Sequence, residues 1–283
     1  MKKGLTRIGL HNLSDLQELA NSVGWYFEPQ RANMYIACGS TIGYRIGDRL
    51  VSSAALFCYE SLFSSLGIVI VHPNYQGQGL GKNLVRQCLA HAEQMNVPIS
   101  LVSTKEGFPL YTSMGFRTFG FIHRLTLTNL TCQKSHINYN GLNELCKDDL
   151  SDIIAFDRIA FGANRRHIYH LLLAHVYRGL TVRDADNRLR GFIMAFQLGE
   201  TLHIGPLLAD DTEIAIQLIR SLLFLPAPQT IRIDVPDNQS DFINELEKYG
   251  FRETLISPFM LKNTDALPGK RSHLFAIIDP ALG

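Results

Sequence analysis

The chain has 283 residues, 46% hydrophobic and 19% charged, with 27 Lys and Arg against 26 Asp and Glu. That length exceeds one ordinary domain of about 100–150 residues and points to two, each apolar enough to bury a core. The net charge of +1 argues against a broad phosphate-binding surface but leaves room for a small local anion site.

Alternation first becomes clear at Arg45–Gly47 and Leu50–Phe57, a hairpin turning near Gly47–Asp48. A polar patch from Glu60 to Ser65 leads into Leu66–Val71, an apolar run expected of a strand covered on both faces. Leu80, Leu84, Val85, Cys88, Leu89, Ala92 and Met95 then recur at helical spacing until Asn96–Val97–Pro98. A strand at Ile99–Ser103, a short helix at Leu110–Met114 closed by Gly115, and a strand at Phe116–Leu127 interrupted near Gly120 follow. Polar residues from Thr128 to Asn140 form the expected linker, placing the domains at residues 1–130 and 131–283. Beyond it come helices near Leu150–Phe161 and Arg166–Tyr177, and a hairpin of Leu180–Arg183 with Leu189–Gln197. A strand (Leu202–Leu208), a helix (Ile214–Leu222), a strand (Ile231–Val235), a helix (Phe242–Tyr249) and a strand from Gly250 complete the order.

The halves look alike. Leu50 corresponds to Leu189, Leu66 to Leu202 and Gly115 to Gly250, at offsets of 139, 136 and 135 residues. Three landmarks at nearly one offset point to a duplicated plan.

Gln76-Gly77-Gln78-Gly79-Leu80-Gly81-Lys82 joins the apolar strand to the amphipathic helix. Glycines let backbone N–H groups approach a ligand, and a helix N-terminus adds orphan donors and partial positive charge, so the turn suits a phosphate. The glycines are spaced GxGxG rather than GxGxxG, and neither the P-loop spacing nor its Ser or Thr after the Lys is present. The pattern [Gln/Arg]-x-x-Gly-x-[Gly/Ala] is met by Gln76, Gly79 and Gly81, and Tyr111-Thr112-Ser113-Met114-Gly115-Phe116 follows behind a strand. With these two motifs the sequence resembles the GCN5-related N-acetyltransferase (GNAT) superfamily over roughly residues 6–127.

The resemblance implies an α/β (α+β) fold of tandem domains, each a mixed, largely antiparallel sheet flanked by helices. It implies acetyl-CoA as co-substrate, its pyrophosphate held by Gln76, Gly77, Gln78, Gly79, Gly81 and Lys82. Its pantetheine arm and thioester would lie against the backbone of Val69 and Val71, and Tyr111 would meet the sulfur as catalytic acid. Direct transfer to an amine needs no cysteine nucleophile. Glu60 and Glu106 are candidate bases, although a solvated loop carboxylate is the simpler account of each, and His72 suits a strand end. The first helices, near Asn12–Asn21 and after Trp25-Tyr26-Phe27, would select the acceptor; that aromatic cluster equally suits a core anchor.

At the place of the glycine turn the second half reads Ala209-Asp210-Asp211-Thr212-Glu213. Carboxylates there cap a helix but repel a pyrophosphate, so this half resembles a degenerate copy, expected to help wall the acceptor site or to serve structurally. The segment from Asp157 to Arg166 either caps helices and pairs Asp157 with an Arg or lines a cleft against the first half, and Asp234 and Asp237 either shape a turn or bind a cationic substrate.

The cysteines Cys38, Cys58, Cys88, Cys132 and Cys146 lack zinc spacing and fit reduced core thiols of a cytoplasmic protein, with no metal. No signal peptide is evident, and no stretch nears the ~20 apolar residues that cross a bilayer. The expected activity is acetyl transfer from acetyl-CoA to a primary amine, a small molecule in the first instance. Alternatives are a protein lysine or N-terminal acetyltransferase and a non-catalytic acyl-CoA sensor. Neither nucleic acid nor membrane is an expected partner; a homodimer is left open.

Overall fold

The computed structural model describes residues 3–128, 141–223 and 230–283. The stretch expected as a linker, and Cys132 in it, lies almost wholly outside the described residues.

The first half runs β1 (Lys3–Arg7), α1 (Leu13–Asn21), α2 (Pro29–Cys38), β2 (Ser40–Ile46), β3 (Arg49–Tyr59) and β4 (Phe63–Val71). It continues through α3 (Leu80–Gln94), β5 (Ile99–Val102), α4 (Phe108–Ser113) and β6 (Arg117–Thr128). The second half repeats the order: β7 (Leu142–Glu144), α5 (Leu150–Phe161), α6 (Arg166–His175), β8 (Arg178–Arg183), β9 (Leu189–Leu198) and β10 (Thr201–Ala209). Then come α7 (Thr212–Leu223), β11 (Thr230–Pro236), α8 (Ser240–Lys248), β12 (Arg252–Lys262) and an extra short strand, β13 (Leu274–Ala276).

The expected hairpin turns at Gly47–Asp48, and the buried stripe of α3 is Leu80, Leu84, Val85, Cys88, Leu89 and Ala92. Each fully buried Leu or Val contributes about 1.5–3 kcal/mol. Two details differ from expectation. β4 begins at Phe63, three residues before the apolar run, because Ser64 and Ser65 are buried with their hydroxyls donating to Pro98 O and Ala281 O. Among the cysteines, Cys88 is buried, but Cys146 is exposed at the start of a short turn and is no core thiol.

Twelve strands form one continuous path, β1-β2-β3-β4-β5-β12-β6-β11-β10-β9-β8-β7, with β13 paired to β10. The halves have exchanged strands. β12, from the second half, lies between β5 and β6, and β6 lies between β12 and β11. The order reads the same from either end under the duplication, so a local twofold passes between β6 and β12. An apolar core under α3 contains Leu66, Leu84, Val85 and Leu101 together with Met260 of β12. A core under α7 and α8 takes Leu125 and Leu127 of β6. A third is shared by α1, α2, α5 and α6.

Buried polar contacts tie the halves. Arg31 and Tyr35 of α2 both donate to Asp279, at 3.1 and 2.9 Å. Within the second half, Arg165, just before α6, and Tyr169 of α6 both donate to Asp157, at 2.5 and 2.8 Å. The two Arg-x-x-x-Tyr pairs are 134 residues apart, a further landmark of the duplication, and they confirm the expected partner for Asp157. Asp234 is fully buried; burial opposes its charge, but the Arg232 and Arg124 guanidiniums outweigh that and hold its carboxyl well below the usual range. Asp237 accepts from Phe121 N–H at 2.9 Å. Both are thus engaged structurally.

Candidate active site

β4 and β5 pair in parallel only at Ser64–Ile99 and Ser65–Ser100. β4 continues to Val71 while β5 turns off at Val102, so the two strands fork. Ile68, with φ of 54°, marks a bulge where the β3–β4 register shifts. His72 N–H donates to Val51 O. Strand alternation therefore turns the backbone of Val71 and Val69 the other way, toward the open fork.

The expected phosphate residues gather just beyond the fork. Gly77 and Gly79 have φ of 74° and 76°, and a Cβ at either would meet nothing within 4 Å. Gly79 is the N-cap of α3, so the orphan N–H groups of the first turn face open space. Gly81 packs closely instead: a Cβ there would stand 3.3 Å from Val71 Cγ2. Gln76 donates through Nε2 to Val71 O at 3.2 Å and pins the strand end, a role its motif position did not reveal. Gln78 and Lys82 are exposed on the turn and first helical turn.

Tyr111 sits on α4 at 8% exposure, edge to face with Phe116 at 5.9 Å. Burial, with Cys88 nearby, raises its phenol further above the ordinary value, so it remains a protonated donor at neutral pH. His72 accepts from Asn74 N–H through Nδ1 and caps a turn, as expected. Glu106 is exposed in the turn after β5, at the open end of the fork. Glu60 is not. It lies before Phe63, at the opposite end of β4 from Val71, and eight residue steps of strand separate those ends by about 26 Å. The structure removes Glu60 from the site. Trp25 and Tyr26 are exposed, while Phe27 is buried against Tyr35 at 5.2 Å and anchors the core.

A strand of the other half borders β5. Ser103 N–H donates to Pro258 O at 2.8 Å, and β12 runs past the end of β5 from there. Leu255 and Ile256, 46% and 47% exposed, lie on that overhang. Sequence reasoning missed them, since nothing local connects residue 255 with residue 103. A cavity of about 530 Å³ between α2, α6 and the β9–β10 turn is lined by none of β4, β5, α3 or α4.

In the second half the equivalent fork is closed. β10 and β11 pair only from Thr201–Thr230 to Ile204–Ile233. β13 then fills the gap, pairing Ala276 with Leu207 and Leu274 with Leu208, while Ile277 N–H donates to Asp234 O. Asp211 caps α7 by accepting from Ile214 N–H, and Asp210 pairs with Arg190. Carboxylates stand where the first half has glycines, and a strand stands where it has an open fork.

Acetyltransferase (GNAT) domain families match residues 16–122 and 153–276. The chain is a tandem member of the GNAT acetyltransferase family. It is 28% identical to an uncharacterized N-acetyltransferase of Bacillus subtilis, YitH, over 99% of this chain and 98% of that protein. It is 23% identical to a holothin acyltransferase of a Pseudoalteromonas species, over 87% and 81%. A Pyrococcus horikoshii protein assigned as an acetyltransferase shares the fold at a TM-score of 0.83 and 18% identity, covering 99% of this chain and 96% of that one. As a GNAT enzyme, the protein is an acyltransferase. Among the described residues no helix is long and apolar enough to cross a membrane.

Proposed function

We propose that the first half catalyses direct transfer of an acetyl group from acetyl-CoA to the primary amine of a small molecule. The fork of β4 and β5, opening onto the exposed glycine turn, carries this reading. Backbone N–H groups of residues 77–82 would take the pyrophosphate, and the inward-facing backbone of Val69 and Val71 would take the pantetheine arm. Bound there, acetyl-CoA supplies an activated acetyl group, which joins the amine nitrogen as the C–S bond breaks and the thiolate gains a proton.

A backbone N–H of Val69 or Val71 aimed into the fork would stabilise charge on the thioester oxygen. Tyr111, kept protonated by burial, would give the sulfur its proton. Glu106 and solvent at the open end are the remaining routes for the proton released by the amine. The overhang of β12, which carries Leu255 and Ile256, would narrow the approach and favour a compact acceptor over a folded protein. The second half is a scaffold with a closed fork.

Thiol release across a panel of small amines and lysine peptides tests the reading. Wild-type protein is expected to turn over small amines. Tyr111→Phe should lower kcat by about 10²-fold or more while leaving the Kd for acetyl-CoA unchanged. Tight acetyl-CoA binding without turnover of any amine would instead identify a sensor.

A further inference from the structure

The segment after β13 leaves the closed fork of the second half and ends under the open fork of the first. Asp279 Oδ1 accepts from the N–H groups of Ala281 and Leu282, setting a tight turn. Side chains of both halves then grip its carbonyls. Ser65 donates to Ala281 O at 2.7 Å and Tyr59 to Leu282 O at 2.8 Å. Arg165 donates to Leu282 O and Gly283 O, at 3.2 and 2.6 Å.

Where this turn touches β4 decides its role. Ser65 is the last residue of β4 paired to β5, so it marks the base of the fork. Gly67, two residues farther out, has no side chain because Ala281 fills that place: a Cβ on Gly67 would stand 2.6 Å from the Ala281 Cβ and 2.9 Å from its Cα. Ala281 and Leu282 are 6% and 0% exposed and belong to the core shared by α1, α2, α5 and α6. On the opposite face, Leu66 and Leu101 close the same base against α3. With the thioester at Val69, the acyl group has at most the roughly 6–7 Å of strand between Val69 and this plug.

We propose that residues 279–283 form the floor of the acyl pocket and restrict the donor to short acyl groups, with Ala281 as the specificity-determining residue. The inference rests on the cofactor reading above. A floor built on Gly67 and Ala281 leaves room for a methyl group and excludes a chain several carbons long. It also makes acyl selection a property of the second half, whose own fork is closed.

The test is calorimetric binding of acetyl-, propionyl- and butyryl-CoA, which needs no acceptor. Wild-type protein should bind acetyl-CoA most tightly. Ala281→Gly removes one methyl from the floor and keeps the Asp279 turn; the ratio of the propionyl-CoA Kd to the acetyl-CoA Kd should fall about tenfold. Ser65→Ala, which frees Ala281 O without altering the floor itself, should relax the same ratio in the same direction, and thermal melts confirm that both variants are folded. A ratio within twofold of wild type in both variants overturns the floor while leaving the cofactor reading in place. Wild-type protein that binds none of the three thioesters overturns both.

Discussion

Gly79 makes the most demanding use of a single residue. Its φ of 76° is in the left-handed region, where a side chain costs about 1–2 kcal/mol, yet the space beyond it is open. Gly79→Glu should therefore stay folded with a modest loss of stability, while its carboxylate stands where a pyrophosphate would. We predict at least a tenfold loss of acetyl-CoA affinity by calorimetry; unchanged affinity would sink the phosphate assignment. This turn was legible in the sequence because glycine spacing and the helix start are both local. The base was less so. Glu60 looked adjacent to the strand it precedes, but distance along a strand is real distance, and the buried serines that lengthen β4 carry it farther away. The floor at Ala281 was invisible, because Gly67 and Ala281 approach from opposite ends of the chain.

Among the elements, β10 carries the most unusual burden. His203 on it is fully buried, and burial, followed by the Arg31 and Arg232 cations, holds its pKa well below the ordinary value. Arg31 can only donate, so Nδ1 accepts and the proton resides on Nε2, which has no partner among the described residues. The folded state keeps the ring neutral, whereas the unfolded chain protonates it near pH 6.5. The unfolded state thus binds more protons below that pH, and the contribution to stability is lost as the pH falls through it. Urea unfolding at pH 7.5 and pH 5 should show wild type losing more stability than His203→Phe, by up to about 1.4 kcal/mol per pH unit. Equal losses would refute the neutral buried ring. Most elements could be read from period and turn residues, including the interruption at Gly120, where the β6–β12 register slips. β13 could not: three apolar residues carry no period, and only the gap between β10 and β11 makes them a strand.

At the scale of the molecule, duplication could be read from repeated landmarks, but strand exchange could not, since a sequence states which segments are strands and not whose edge they complete. β12 separates β5 from β6, and β6 pairs only with β12 and β11, so residues 1–130 alone would present an open edge on β5 and both edges of β6. Expressed singly, that fragment should aggregate or remain unfolded. Expressed together with residues 131–283, it should form a one-to-one complex on size-exclusion chromatography. A well-folded monomeric fragment would show the exchange to be dispensable. The exchange also sets an order for synthesis. A ribosome delivers the glycine turn, the fork and Tyr111 early, yet the strand that flanks β5 and the turn that floors the fork leave it among the last described residues. The first half therefore waits, with an unpaired edge, until β12 and residues 279–283 have been made, and a premature stop before β12 leaves β5 without its flanking strand.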